Sequence, residues 1–170
     1  DAVVPFSHSD ASKKEQVASM FNQIAFRYDL LNRMLSGGLD VLWRRKAIGQ
    51  LRPFHPKKLL DVATGTADVA IEIVRTLEPE QVVGIDISEE MLQHGRQKIN
   101  KLLLTNKIRL EKGDSEAINY PDATFDAVTV AFGVRNFENL EAGLKEMYRV
   151  LRPAGKVVIL EATMPQNTII

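Results

Sequence analysis

The run Asp61-Val62-Ala63-Thr64-Gly65-Thr66-Ala67-Asp68 has small-x-Gly-x-small spacing, met by Ala63, Gly65 and Ala67. Small residues at that spacing let the backbone come close to a ligand. A dinucleotide fingerprint would need its third glycine at position 68, where Asp68 would repel a pyrophosphate. An ordinary strand-to-helix turn has the same appearance. Asp86 closes the next apolar run, at the separation from the turn expected of a ribose-binding acid. One carboxylate can accept hydrogen bonds from both ribose hydroxyls; the alternative task, capping the next helix, is open to Ser88 and Glu89. A third run ends in Gly113-Asp114-Ser115, where a carboxylate can accept from an adenine amino group, although Gly-Asp is also common turn chemistry. Three run ends offering suitable groups in chain order predict a nucleoside site.

The elements that must position these groups are legible in the spacing of apolar residues. Leu59–Ala63, Val82–Ile87, Ile108–Leu110, Phe125–Phe132 and Val157–Leu160 read as strands. Between them, Ala67–Leu77, about Glu89–Leu104 and Leu140–Leu151 read as helices. Near-continuous apolar strands alternating with helices predict an α/β fold, a doubly wound, mostly parallel sheet covered on both faces. Ligands of such sheets bind outside the carboxyl ends of the strands, where strand order reverses. Ser12 to about Gly49 instead shows helical spacing in three pieces: one with Val17, Met20, Phe21 and Ile24, capped by Ser12 or Asp10; one over Leu30–Leu35; and one from Leu39 through Trp43. Ser36-Gly37-Gly38 separates the last two, and Pro53 and Pro56 punctuate a linker. The organisation expected is a helical cap region, residues 1–56, before a ligand-binding unit, residues 57–170.

Bulk properties narrow the class of function. With 22 basic and 22 acidic residues the chain has no net charge, which speaks against a nucleic-acid partner. Disulfide and thiolate chemistry are excluded because there is no cysteine. His8, His55 and His94 are scattered without metal-ligand spacing, so no metal is expected. No apolar run approaches the roughly 20 residues of a membrane helix, and the first residues lack the apolar core of a signal peptide. A soluble, cytoplasmic protein is the expectation.

From about Phe21 to Thr163 the chain resembles the ubiquinone/menaquinone biosynthesis C-methyltransferases. Tyr28-Asp29-Leu30-Leu31-Asn32 through Ser36 to Trp43 looks like the N-terminal signature of that family. Phe132-Gly133-Val134-Arg135-Asn136 looks like its motif after the fourth strand, and Arg149-Val150-Leu151-Arg152-Pro153 with Gly155 and Glu161 like its C-terminal signature. The resemblance implies a Rossmann-like class I methyltransferase with N-terminal helices that uses S-adenosylmethionine. It places Asp61, Ala63, Gly65, Thr66, Asp86, Ile87, Met91, Asp114, Ser115 and Ala131 around that cofactor, with Asp61 attracting the amino group of its methionine end. It implies methylation of a ring carbon in a reduced, prenylated quinone, with Arg135 stabilising a developing phenolate or orienting a water that takes the proton. Asn136 would hold the second polar edge, and Tyr28 with Asp29 would close the pocket. Peripheral contact with a membrane and a homodimer are further expectations of the resemblance.

Departures from the family pattern are Asp40 where histidine is usual, Ala154 in place of a glycine, Thr163 in place of serine, Ala63 and Ala67 where glycine is frequent, and Ala131 in place of serine. Members of this fold continue after the fifth strand with a helix and two more strands. These C-terminal strands are expected to be missing from this sequence, leaving Val157–Leu160 as an exposed apolar edge. Trp43 and Phe21 read as helix-packing residues and Arg44-Arg45-Lys46 as a solvated face, or one that touches anionic lipid. Met20, Phe21 and Phe26 read as core, with guidance of a lipid tail the sharper alternative. Three rivals share these residues: an O- or N-methyltransferase, a non-catalytic S-adenosylmethionine-binding subunit of a quinone-synthesis complex, and a nicotinamide oxidoreductase, which Asp68 disfavours.

Overall fold

Leu59, Leu60 and Val62 are fully buried, as a strand enclosed on both faces requires, and they sit in the central strand of the sheet. The computed structural model describes residues 11–162, so Asp10, His8 and Thr163 lie outside the described residues. Its elements are α1 (Lys13–Leu35), α2 (Leu39–Gly49), β1 (Lys58–Val62), α3 (Asp68–Leu77), β2 (Gln81–Asp86), α4 (Glu89–Lys101), β3 (Ile108–Lys112), β4 (Phe125–Ala131), α5 (Leu140–Val150) and β5 (Leu151–Leu160). All four strand pairings are parallel, in the order β3-β2-β1-β4-β5. Strand order therefore reverses between β1 and β4, and the crevice beyond their carboxyl ends is where a ligand is expected.

Side chains alternate across the sheet. Leu59, Val82, Ile108 and Ala127 join α2, α3 and α4 in one core; Leu60, Val83, Val128, Phe125 and Met147 form the other with α5. The two middle helices pack closely: Val69, Ala70, Ile71 and Ile73 of α3 and Met91, Leu92 and Ile99 of α4 are all buried. Asp126, at the start of β4, accepts from the N–H groups of Lys57 and Lys58 at 2.9 and 2.8 Å, which ties the entry of β1 to its neighbour.

The α/β class and element order follow the sequence reading, with two differences. The first two helical pieces are one 23-residue helix, α1, because nothing between Ile24 and Leu30 breaks a helix. Ser12 starts it with a capping box: its hydroxyl accepts from the Glu15 N–H, and Glu15 accepts from the Ser12 N–H at 2.9 Å. Gly37 and Gly38, with φ of 59° and 83°, turn the chain into α2. The second difference is β5, which begins at Leu151 rather than Val157. Leu151 pairs with Phe125 and Lys156 with Ala127, so the intervening residues bulge, with Ala154 at φ 65°. Val157 and Ile159 of β5 are 40% and 47% exposed.

α5 closes on the sheet through a missing side chain. A Cβ on Gly143 would lie 2.5 and 2.7 Å from carbons of the Phe137 ring, which is buried. Alanine in place of glycine within a helix ordinarily gains about 1 kcal/mol. Here overpacking costs about 1–3 kcal/mol, so Gly143→Ala is expected to lower the urea midpoint; a raised midpoint would contradict this packing.

Candidate functional site

Each of the first two strands ends in a carboxylate, and the two do different things. Asp61 is 1% exposed and accepts from the hydroxyls of Thr64 and Thr129, both at 2.6 Å. Burial pushes its carboxyl up to about 7, against the pull of those two hydroxyls. It anchors the turn that follows β1 through Thr64. Asp86 accepts from the Gly65 N–H at 2.8 Å on one oxygen and from the Ser88 N–H at 2.9 Å on the other. Each oxygen keeps a further lone-pair site, so both can still accept from a diol. Burial raises this carboxyl above the usual range, while the N–H groups of Ser88, Gly65 and Ile87 oppose the rise. Capping of α4 falls to the Ser88 hydroxyl, which accepts from the Met91 N–H at 3.3 Å, so Asp86 is free of that task.

The turn itself is held in left-handed backbone at Ala63, Gly65 and Ala67, with φ of 52°, 55° and 67°. At Ala63 and Ala67 this conformation is strained, roughly 1–2 kcal/mol per residue. Gly65 suits this φ, and a Cβ there would sit 3.3 Å from Met91 Cε, so that the methionine end would have to shift slightly. On the other side, a Cβ on Gly133 would meet the Ala63 Cβ at 2.7 Å, so the turns after β1 and β4 approach to backbone contact.

Between these turns and α1 lies a cleft of about 630 Å³. Of the residues expected around a cofactor, Ala63, Gly65, Asp86, Ile87, Met91, Asp114, Ser115 and Ala131 line it, and Asp61 and Thr66 do not. A second, more open cleft of about 980 Å³ runs between α1, α2 and the loop after β4. Phe21, Tyr28, Phe132 and Asn136 belong to both clefts and form their common wall. Tyr28 packs edge-on against Phe21 with ring centres 5.8 Å apart. Its hydroxyl is pushed up by burial, against a hydrogen bond with the Asn32 side chain.

The expected catalytic residues separate. Tyr28 and Asn136 stand at the common wall, and Arg135 lines the second cleft alone, where its half-exposed side chain pairs with Glu161 at 3.3 Å. Asp29 lines neither cleft: it accepts from the Thr66 hydroxyl at 2.5 Å and pairs with Lys98 at 2.7 Å. Its place is in a chain of charges in which Lys98 also pairs with Asp68 at 2.5 Å, and Arg44 pairs with Asp68 at 3.2 Å and with Asp40. The reading of Arg44-Arg45-Lys46 as a solvated face fails at Arg44 and holds at Arg45 and Lys46, which are exposed. Arg44 is buried and lines the second cleft, and Arg45 pairs with Glu72 at 3.0 Å. This also gives Asp40 its role. Burial alone would raise its carboxyl, but the Ser36 hydroxyl, Arg44 and Arg33 hold it below its ordinary value.

Several lining residues were not anticipated. Lys14 pairs with Asp114 at 2.6 Å and with Glu116 at 3.3 Å, and the Asp114 bond raises the lysine above its ordinary value. Lys13 donates to the carbonyls of Phe137 and Arg135 at 2.8 and 3.2 Å, so the first turn of α1 is stitched across the cleft. Nothing in the local spacing of Lys13 or Lys14 signals this, because their partners lie a hundred residues or more away. Arg44 could have been found, since Asp40 and Arg44 are an i,i+4 pair on one helix.

The buried carboxyl of Asp61 gives a signature in folding. Its unfolded value is near 3.8 and its folded value about 7. The native state therefore loses stability as pH rises from the first value to the second, and the loss is constant above it. Asp61→Asn, which does not titrate, is expected to gain on the native protein across that window in urea titrations. A difference independent of pH would contradict an ionisable group held at this position.

The geometry agrees with what the chain is similar to. A demethylmenaquinone methyltransferase from Bacteroides fragilis is 52% identical over 98% of this chain and 68% of its own length. The ubiquinone/menaquinone biosynthesis C-methyltransferase UbiE of Geobacter sulfurreducens is 48% identical over 91% of this chain and 61% of its own. The chain thus spans about two thirds of the length of these relatives. A solved S-adenosylmethionine-dependent methyltransferase from Aquifex aeolicus superposes with a TM-score of 0.59 at 28% identity, over 66% of this chain and 61% of that one. The sheet order and helical flanks are those of the Rossmann-like class I methyltransferases. The sequence model of the ubiE/COQ5 methyltransferase family matches residues 9–170, and the chain belongs to that family.

Proposed function

We propose that this chain binds S-adenosylmethionine in the first cleft and transfers its methyl group to a ring carbon of a reduced, prenylated quinone in the second. The observation that carries this reading is the common wall: Phe21, Tyr28, Phe132 and Asn136 separate a cleft lined by Asp86 and Asp114 from a more open one lined by Arg135. The names of the relatives supply the quinone. Segment 1–56 acts as a cap over the donor-binding unit 57–170, with α1 contributing to both clefts.

The residues of the first cleft fit the cofactor. Asp86 offers two acceptor positions to a ribose, and Gly65 and Gly133 let backbone approach where a Cβ would intrude. Asp114 offers an acceptor for an adenine amino group while held by Lys14. When bound, S-adenosylmethionine supplies a methyl group already activated by its sulfonium. The chain has to align the two reactants and exclude water. A quinol hydroxyl that gave its proton to a water oriented by Arg135 would put electron density on the adjacent ring carbon, which would take the methyl group as its bond to the sulfonium breaks, leaving S-adenosylhomocysteine. The proton displaced from that carbon would return to the phenolate oxygen, so that one proton is released in all. Arg135, always a cation, stabilises the phenolate, and Asn136 holds the second polar edge. Tyr28 closes the wall from α1, and Asp29 acts indirectly by holding Thr66 in the turn. Such a substrate resides in a bilayer, so the reading includes a cytoplasmic enzyme in peripheral contact with a membrane.

With labelled S-adenosylmethionine and a reduced demethylmenaquinone of short prenyl chain, label is expected on the ring carbon, and the oxidised quinone is expected to be inert. Label on oxygen, or none, would contradict the reading. Arg135→Ala is expected to lower kcat on the order of a hundredfold with donor affinity unchanged; an effect on donor affinity alone would remove Arg135 from the chemistry.

A further inference from the structure

Five polar residues line the second cleft at intervals of four: Tyr28, Asn32 and Ser36 along α1 and at its end, Asp40 and Arg44 on α2. Four-residue spacing keeps such side chains on one face of a helix. They are joined as well as aligned. The Tyr28 hydroxyl is hydrogen-bonded to the Asn32 side chain, the Ser36 hydroxyl donates to Asp40 at 2.8 Å, and Arg44 donates to the other oxygen of Asp40. Tyr28 also belongs to the common wall, so the polar stripe starts where the two clefts meet and continues in the second alone. A cleft that held only an apolar tail would gain nothing from such a stripe, because each buried polar group costs desolvation.

Asp40 is the member of the stripe that packing does not account for. It is 5% exposed, and it is the one carboxylate among the described residues that line this cleft. Against burial, the Ser36 hydroxyl, Arg44 and Arg33 hold its carboxyl below the ordinary value, so it is a charged group that only accepts. Neutralising Arg44 is not a sufficient reason for it, since the same nitrogen, Nη2, also pairs with Asp68 at 3.2 Å. Asp29, Asp40 and Asp68 share two cations, Arg44 and Lys98, so the network holds one carboxylate more than it has cations. With the Ser36 hydroxyl, Arg44 and the Val41 N–H as donors, one of the roughly four lone-pair positions of Asp40 is still open. A surplus carboxylate that lines a cleft and can accept once more calls for a hydroxyl.

We propose that Asp40 sets the specificity of the second cleft: its carboxylate accepts from the quinol hydroxyl farther from Arg135, and so selects the reduced ring over the oxidised one. This selection rests on the proposed function, which brings a quinol into the cleft. An oxidised ring presents carbonyl oxygens, which accept and do not donate, so beside Asp40 it sets acceptor against acceptor. A site built to receive a hydroxyl rejects an analogue that lacks one, because its own buried group is then left unpaired. Arg135 comes from the loop after β4 and Asp40 from α2. The two ring oxygens thus meet opposite charges: a cation for the one that becomes phenolate, an anion for the one that keeps its proton.

The test is calorimetric titration of the chain, saturated with S-adenosylhomocysteine and kept free of oxygen, with a short-chain prenylated 1,4-naphthoquinone in its reduced and oxidised forms. With no cysteine in the chain, the oxidised ring has no thiol to add to. The native chain is expected to bind the reduced form on the order of tenfold to a hundredfold more tightly. Asp40→Asn, whose amide can donate to a carbonyl, is expected to lose that ratio through weaker binding of the quinol and tighter binding of the quinone. Asp40→Glu, which keeps a carboxylate, is expected to retain the larger part of it. In turnover, Asp40→Asn is expected to raise KM for the quinol on the order of tenfold and to change kcat less. Equal affinity of the native chain for the two forms overturns the proposal, and so does an Asp40→Asn variant that keeps the native ratio. A variant weakened toward both forms alike, with a lowered urea midpoint, also overturns it and leaves Asp40 a structural partner of Arg44. Where Asp40→Asn does not fold, the native ratio and Asp40→Glu decide. If neither form binds a native chain that binds S-adenosylhomocysteine, the proposed function itself fails, a result distinct from equal binding of both.

Discussion

The 2.8 Å hydrogen bond from the Gly65 N–H to Asp86 fixes the rest of the site. It joins the turn after β1 to the end of β2, so one carboxylate both shapes the turn and faces the cleft. The turn has little slack. Three of its residues hold left-handed backbone, Gly133 touches it from the far side, and Asp61 pins it from below through Thr64. A conformation that two alanines adopt only under strain persists because neighbours on every side determine it. Asp61 supports the turn at the cost of a buried carboxyl raised to about 7, a case of local instability carried by the surrounding sheet.

The ion pairs around this turn extend the same constraint outward. From the second cleft, Arg44 reaches Asp40 of its own helix and Asp68 at the head of α3. Asp68 reaches Lys98 of α4, and Lys98 reaches Asp29 of α1, which in turn holds Thr66. Four helices thus share one network, and it lies behind the turn rather than in front of it. A half-buried network with most of its charges matched gives a defined arrangement of helices more than it gives net stability. Its consequence for chemistry is that α1, which gives Phe21 and Tyr28 to the wall between the two clefts, is tied to α3 and α4.

The sheet was legible because buried parallel strands are written as continuous apolar runs, and the carboxyl-end rule then named the loops worth inspecting. Asp86, Asp114 and the small residues of the turn could be singled out by that rule, and Met91 by the resemblance. What could not be read were consequences of packing over long sequence distances. Asp61 and Asp29 have the residue type and the position of ligand-binding acids, yet Thr64 and Thr129 take up the first and Thr66 and Lys98 the second. Arg44 looked solvated because its neighbours in sequence are cations, whereas its neighbours in space are two aspartates. Lys14 carried no local signal at all. The extra residues in β5 escaped because Arg152 to Gly155 interrupt the apolar run that marks a strand, though the backbone pairing resumes beyond them.

If Asp86 is the residue that turns this fold into a nucleoside site, its side chain dominates donor binding. Calorimetric titration of S-adenosylmethionine into the native chain and into Asp86→Ala tests that directly. The account predicts saturable one-to-one binding by the native chain and a loss on the order of tenfold to a hundredfold in the variant. Equal affinity in the two proteins, with both folded, would contradict it and place the donor elsewhere.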